Sequence, residues 1–221
     1  MPNSLTAPPV RPVLDRLFQA AGAEDAARQV TMRQRYPDGF AAVSAREQAD
    51  AYAELYIPVS PEGGRLLYTL IRASRPATVV EFGTSFGIST IHLAAAVRDN
   101  GTGHVISTEL NTAKAARAGA SLAEAGLADL VTILAGDARD TLADLPGPVG
   151  FVLLDGWKDL YLPVLRLLEP RLAPGALVVA DDTVSMADEM TDYLSYVRDP
   201  AHGYLSVAFP ESDGLEITCR V

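Results

Sequence analysis

The stretch ATVVEFGTSFGISTIHLAAAVRD, residues 77–99, decides the fold. An apolar run, ATVVEFG, reads as a strand, and STIHLAAAVRD reads as a helix that opens at Ser89. Between them Gly83 and Gly87 frame a tight turn, where glycine lets backbone approach a ligand closely. The spacing is G-x-x-x-G, which differs from the G-x-G-x-x-G that seats a pyrophosphate on a helix N-terminus. An ordinary turn and a ligand loop both remain open on this motif alone.

The rhythm continues towards the C-terminus. GHVISTEL (103–110) is a strand and TAKAARAGASLAEAG (112–126) an Ala-rich helix ended by Gly126. LVTILAG (130–136) is a strand followed by a short helix to about Leu145, and VGFVLLD (149–155) and GALVVADD (175–182) are strands separated by a helix around LPVLRLLEPRL (162–172). Strands alternating with helices at this spacing require crossovers, hence a doubly wound, mostly parallel α/β sheet. The C-terminus breaks the pattern. GYLSVAF, PESDG and LEITCRV (203–221) read as two strands joined by a hairpin too short for a crossover, so one edge strand should run antiparallel. The expected sheet has seven strands with this hairpin at its edge.

Towards the N-terminus, Ser60 is placed to cap a helix whose first residue is Pro61. VLDRLFQAA, EDAARQVTMRQRY and SAREQADAYAELY carry helical periodicity, preceded by ten Pro-containing residues expected to form a loose arm. Two regions follow: a helical arm and lid over residues 1–56, and the α/β domain over 57–221.

Composition narrows the function. The chain has 221 residues, 48% of them hydrophobic and 21% charged, which suits one globular domain with an appendage. A net charge of −10 with scattered basic residues argues against nucleic acid. No apolar run approaches the ~18 residues of a membrane span, and the N-terminus has no signal-peptide pattern. The single cysteine, Cys219, forms no internal disulfide, so a reducing cytoplasm is expected. A small molecule is the expected partner, and a homodimer is admitted as an assembly.

In open α/β sheets, ligands bind beyond the carboxyl ends of the strands. Glu81 lies at the end of the first. Glu109 ends the second, 26 residues after Gly83 (109 − 83), where a carboxylate accepts from both ribose hydroxyls or merely caps a helix. Asp137, after the third, caps the next helix or touches a purine. Together these suit a nucleoside ligand without an obligatory diphosphate. S-adenosylmethionine fits better than NAD. The fourth and fifth strands end on Asp155 and on Asp181–Asp182. If adjacent, these three carboxylates repel unless a hard divalent cation joins them, Mg²⁺ or another such as Mn²⁺ or Ca²⁺. The alternative is that they cap helices. His92, His104 and His202 have no paired-ligand spacing, so zinc is not expected.

VVEFGTSFGIST, VISTELN, FVLLDGWKDLYLP and VVADDT, in this order, resemble the metal-dependent class I S-adenosylmethionine O-methyltransferases of the catechol O-methyltransferase type. The resemblance spans about Ile57 to the C-terminus. It implies methyl transfer to a hydroxyl of a small aromatic, vicinal-diol substrate. It implies that Asp155, Asp181 and Asp182 hold the metal and that Lys158 is catalytic. Glu109 would hold the ribose, Val59, Glu81, Gly83 and Ser89 would surround the methionine part of the donor, and Asp155 would also count among the donor-binding residues. Asp137 and Ala138 would lie by the adenine, Trp157 between adenine and substrate, and Met186 on the substrate wall. The chain departs from the pattern at Asp182, where the family usually has Asn, and at Gly156, where it has His. No acidic residue stands near Val207, where the family contacts the second hydroxyl. A metal-independent methyltransferase, a non-catalytic S-adenosylmethionine-binding protein and an NAD-dependent reductase are the competing readings.

Overall fold

The computed structural model describes residues 3–36 and 43–221; the first two residues of the expected arm, and 37–42 within the expected lid, lie outside them. Two N-terminal helices, α1 (Val10–Arg35) and α2 (Ala45–Ala51), precede α3 (Pro61–Ser74). There follow β1 (Thr78–Phe82), α4 (Ile88–Asn100), β2 (His104–Glu109), α5 (Thr112–Glu124), β3 (Val131–Ala135) and α6 (Ala138–Thr141). The chain continues with β4 (Val149–Leu154), α7 (Tyr161–Leu168), β5 (Leu172–Asp181), α8 (Thr191–Arg198), β6 (Tyr204–Phe209) and β7 (Leu215–Arg220).

The seven strands form one sheet in the order β3-β2-β1-β4-β5-β7-β6. Strands β1 to β5 pair in parallel, and β7 pairs antiparallel with both β5 and β6. The hairpin lies at the sheet edge as expected, but the reversed strand is the inner one. The edge itself, β6, runs with the parallel set. Successive residues of each strand feed opposite layers. Val79, Val105, Phe151 and Val179 pack with α1, α3, α4 and α5, whereas Val80, Val152, Val178 and Ala180 pack with α7 and α8. This two-sided burial is why the parallel strands read as unbroken apolar runs.

The N-terminus differs from expectation. It is no loose arm: Ser4 donates through its backbone and its hydroxyl to Asp99 on α4, at 2.8 and 2.6 Å, and Val10 is fully buried. The two predicted helices at 13–36 are one helix of 26 residues, because Val13, Leu14, Leu17 and Ala21 bury a continuous stripe against α4 and α5. The helix after β3 ends at Thr141, earlier than Leu145. Ser60 caps α3 by accepting from the Gly63 N–H, with Pro61 at the first helical position, as expected. No helix among the described residues is long and apolar enough to cross a membrane.

Candidate active site

The strand order reverses direction between β1 and β4, and the carboxyl ends of these strands meet there. Gly83 makes the junction possible. It sits at φ +106°, and a Cβ there would come within 2.3 Å of the Asp155 carbonyl oxygen. Only glycine allows the β1 loop to cross so close to the tip of β4. Beyond it, Ser85 donates its N–H to Glu109 at 2.8 Å and its hydroxyl to the Tyr56 carbonyl at 2.8 Å. Ile57, Val59, Thr84, Ser85, Ser89 and Asp155 thereby line a narrow cleft at the switch point.

Glu81 lies beneath this cleft, fully buried. Its oxygens accept from Ser89 (2.6 Å), Thr90 (2.5 Å) and Ser107. Burial pushes its pKa up, and the three hydroxyls partly offset that. Glu81 therefore braces the first turn of α4, with Ser89 standing between it and the cleft. Glu109 remains half-exposed and already accepts from the Ser85 and Asn111 backbones. Asp137 takes the capping role: it accepts from the Arg139 N–H at 2.9 Å and pairs with its guanidinium at 2.6 Å. That pairing holds its pKa below the usual carboxylate value. Ala138 is buried as the first residue of α6.

Beside the cleft, Asp155, Asp181 and Asp182 come together with carboxylate oxygens all within 4.8 Å of one another. The adjacency inferred from sequence is real, because β4 and β5 pair directly. Burial first, and Asp181 next, push Asp155 well above the carboxylate range; burial and then Asp182 push Asp181 to about 7. Asp182 adopts φ +62°, a left-handed conformation that Asp and Asn tolerate better than other residues with side chains. The loop behind it is latched to the β6–β7 turn: the N–H groups of Thr183, Val184 and Ser185 donate to the carbonyls of Gly214 and Asp213. Three converging carboxylates with their desolvation costs fit a hard divalent cation.

Lys158 is no surface lysine. It is 7% exposed; its Nζ is 2.7 Å from Asp182 Oδ2 and 4.0 Å from Asp155 Oδ1, and it donates to the Tyr161 hydroxyl at 2.7 Å. That hydroxyl donates to the Asp181 carbonyl at 3.3 Å. Tyr161 went unread in the sequence, although its position three residues after Lys158, across the start of a helix, was a usable signal. Trp157 packs edge-on against Tyr52, with centroids 5.2 Å apart. Tyr52, at the end of α2, carried no signal of its own. At Gly156, where the family pattern has His, the Phe82 ring lies 2.4 Å from where a Cβ would stand. Met186 donates its N–H to the Asp182 carbonyl at 2.9 Å, and its side chain packs against the core on the α7–α8 side.

Comparison with known proteins gives the family of the chain. A family described as a methyltransferase domain matches residues 80–183. Catechol O-methyltransferase B of Danio rerio is 28% identical over 221 residues, covering 94% of this chain and 82% of that protein. Catechol O-methyltransferase of Sus scrofa is 31% identical over 147 residues, 63% of this chain and 77% of its own length. Among solved structures, the O-methyltransferase TomG from Streptomyces achromogenes in complex with SAM superposes with a TM-score of 0.70 at 26% identity, covering 82% of this chain and 90% of that one. By sheet order, by the motifs at its strand ends and by these relatives, the chain belongs to the S-adenosylmethionine-dependent O-methyltransferases of the catechol O-methyltransferase family.

Proposed function

We propose that the protein methylates one hydroxyl of a small aromatic substrate bearing two adjacent oxygens, in the cytoplasm, with Asp155, Asp181 and Asp182 holding a divalent cation. The observation that carries this reading is the convergence of three carboxylates and a buried lysine beside the cleft at the switch point. Bound there, a divalent cation supplies Lewis acidity and a template for two neighbouring oxygens. S-adenosylmethionine supplies a methyl group already activated by its sulfonium.

The remaining work falls to the chain. Lys158, fixed by Tyr161 and Asp182, faces the substrate oxygen: as an amine it accepts the hydroxyl proton, and as an ammonium it stabilises the oxyanion left behind. The loop at Gly83–Ser85 and the segment at Ile57–Val59 hold the donor and exclude water, while Glu109 offers its remaining lone pairs to the ribose. With both reactants held in line, most of the acceleration comes from orientation. Of the N-terminal region, the end of α2 acts as the lid, supported by the contact of Tyr52 with Trp157, whereas α1 is packed into the core. Calorimetry with S-adenosylhomocysteine, with and without Mg²⁺, tests the donor and cation readings. A substrate screen tests chelation: vicinal diols should react and monophenols should not, and equal rates would overturn it.

A further inference from the structure

One wall of the donor cleft is held in a backbone conformation that its own sequence opposes. Ile57 sits at φ +39°, in the left-handed region that β-branched residues avoid. It also precedes Pro58, which biases the residue before it towards extended backbone. Strain of this kind persists only where the surroundings over-determine it. The side chain of Ile57 does not do so, being 41% exposed.

The restraint comes from α1. Asp25, 8% exposed on that helix, spreads its carboxylate across the turn: Oδ1 accepts the Tyr56 N–H at 2.9 Å and Oδ2 the Ile57 N–H at 2.8 Å. Three residues on, Arg28 donates to the Glu54 carbonyl, so the same helix holds the approach to the turn. From the other side the Ser85 hydroxyl donates to the Tyr56 carbonyl at 2.8 Å. Ile57 and Val59 line the cleft directly, and Ser85 also fixes Glu109.

We propose that Asp25 is a positioning residue for the methyl donor: it stabilises the left-handed turn at Ile57, so that the cleft wall stands in its binding conformation before the donor arrives. The proposal rests on the reading of this cleft as the donor site. Without Asp25 the turn would relax and only a fraction of molecules would present the competent wall, and apparent affinity falls by that fraction.

The test is calorimetry with S-adenosylhomocysteine on the full chain. Asp25→Asn keeps the shape but leaves only one oxygen to accept two N–H groups, and should weaken binding about tenfold or more. Adding Ile57→Gly, which takes a positive φ without strain, should bring the affinity of the double variant back to within about threefold of the original. Thermal melts of the same variants separate this from a general change in stability, under which affinity would follow the melting temperature instead of the conformation of the turn. Hydrogen exchange on the unaltered, ligand-free protein gives a readout that needs no variant: the Tyr56 and Ile57 amides should be protected although Ile57 lies at the surface. Equal affinity in Asp25→Asn, no rescue by glycine, or fast exchange at these amides would each overturn the proposal. Failure of the unaltered protein to bind S-adenosylhomocysteine would instead overturn the donor-site reading itself.

Discussion

Asp182 is one of the positions where the chain departs from the family pattern, and it is where the chemistry is most open to test. Its carboxylate brings a third negative charge to the cluster and holds Lys158 at 2.7 Å. Asn tolerates the same left-handed backbone, so Asp182→Asn removes charge without disturbing the loop. Attraction between opposite charges at such separations is worth kilocalories even at an effective dielectric constant of about 20. Mg²⁺ affinity should therefore fall about tenfold or more in titration calorimetry, and the pH–rate profile should move to lower pH, because one fewer charge opposes the phenolate. Unchanged affinity would remove Asp182 from the metal set. Tyr161 poses a different question. Tyr161→Phe deletes the hydroxyl that accepts from Lys158 and donates to the Asp181 carbonyl. The turnover rate should drop roughly tenfold, in keeping with a loosened proton acceptor, while S-adenosylhomocysteine affinity stays level. Parallel losses in both would mean that Tyr161 supports the fold and not the lysine.

At the scale of elements, α4 carries a titration with a definite sign. His92 is buried against Gly64 on α3, and its Nδ1 meets the Ile88 carbonyl at 2.8 Å. Burial lowers its pKa from 6.5 to about 4. The folded protein thus binds fewer protons there than the unfolded chain at any pH between these values, so the His92 contribution to stability is complete above 6.5 and is lost as pH falls towards 4. The gap corresponds to roughly 3 kcal/mol. In His92→Leu the acid limb of the unfolding midpoint should flatten, and a limb as steep as before would mean that other groups drive it. The β6–β7 hairpin shows why an element absent from a plain dinucleotide-binding sheet is present here. Its turn accepts the N–H groups of the loop after Asp182 and, through Glu211, the hydroxyl of Ser60. The hairpin thereby fixes the rear of the metal loop and the start of α3 to one another.

Across the whole molecule, the reading of the carboxylate cluster as a cation site predicts that stability depends on metal. Burial and mutual repulsion raise Asp155 and Asp181 above their unfolded values. The folded state then holds protons that the unfolded chain has released, so metal-free protein loses stability as pH rises from about 4 towards 7. A cation that binds only the folded state reverses this trend. His92 contributes equally with and without metal, so the melting-temperature gap between Mg²⁺ and chelator should widen as pH rises across that range. Parallel curves would show that no cation sits among these aspartates.

The sequence by itself determined the α/β class, the terminal reversal and the strand-end positions of Glu81, Glu109, Asp155, Asp181 and Asp182. Each follows from local pattern: continuous apolar runs for strands buried on both faces, and a polar residue where each run stops. Lys158 and Trp157 were legible only because their motif resembles a family. Tertiary structure alone decided what depends on distant partners. The arm at Ser4 is ordered by Asp99, 95 residues away, and α1 is continuous because its stripe packs on α4 and α5. The reversed strand is the inner one because β5 pairs with β7 rather than β6. Glu81 is occupied by three hydroxyls, and the turn at Ile57 by a carboxylate 32 residues earlier. No periodicity or spacing encodes these contacts, since the energy of each belongs to a pair of groups that only the folded chain brings together.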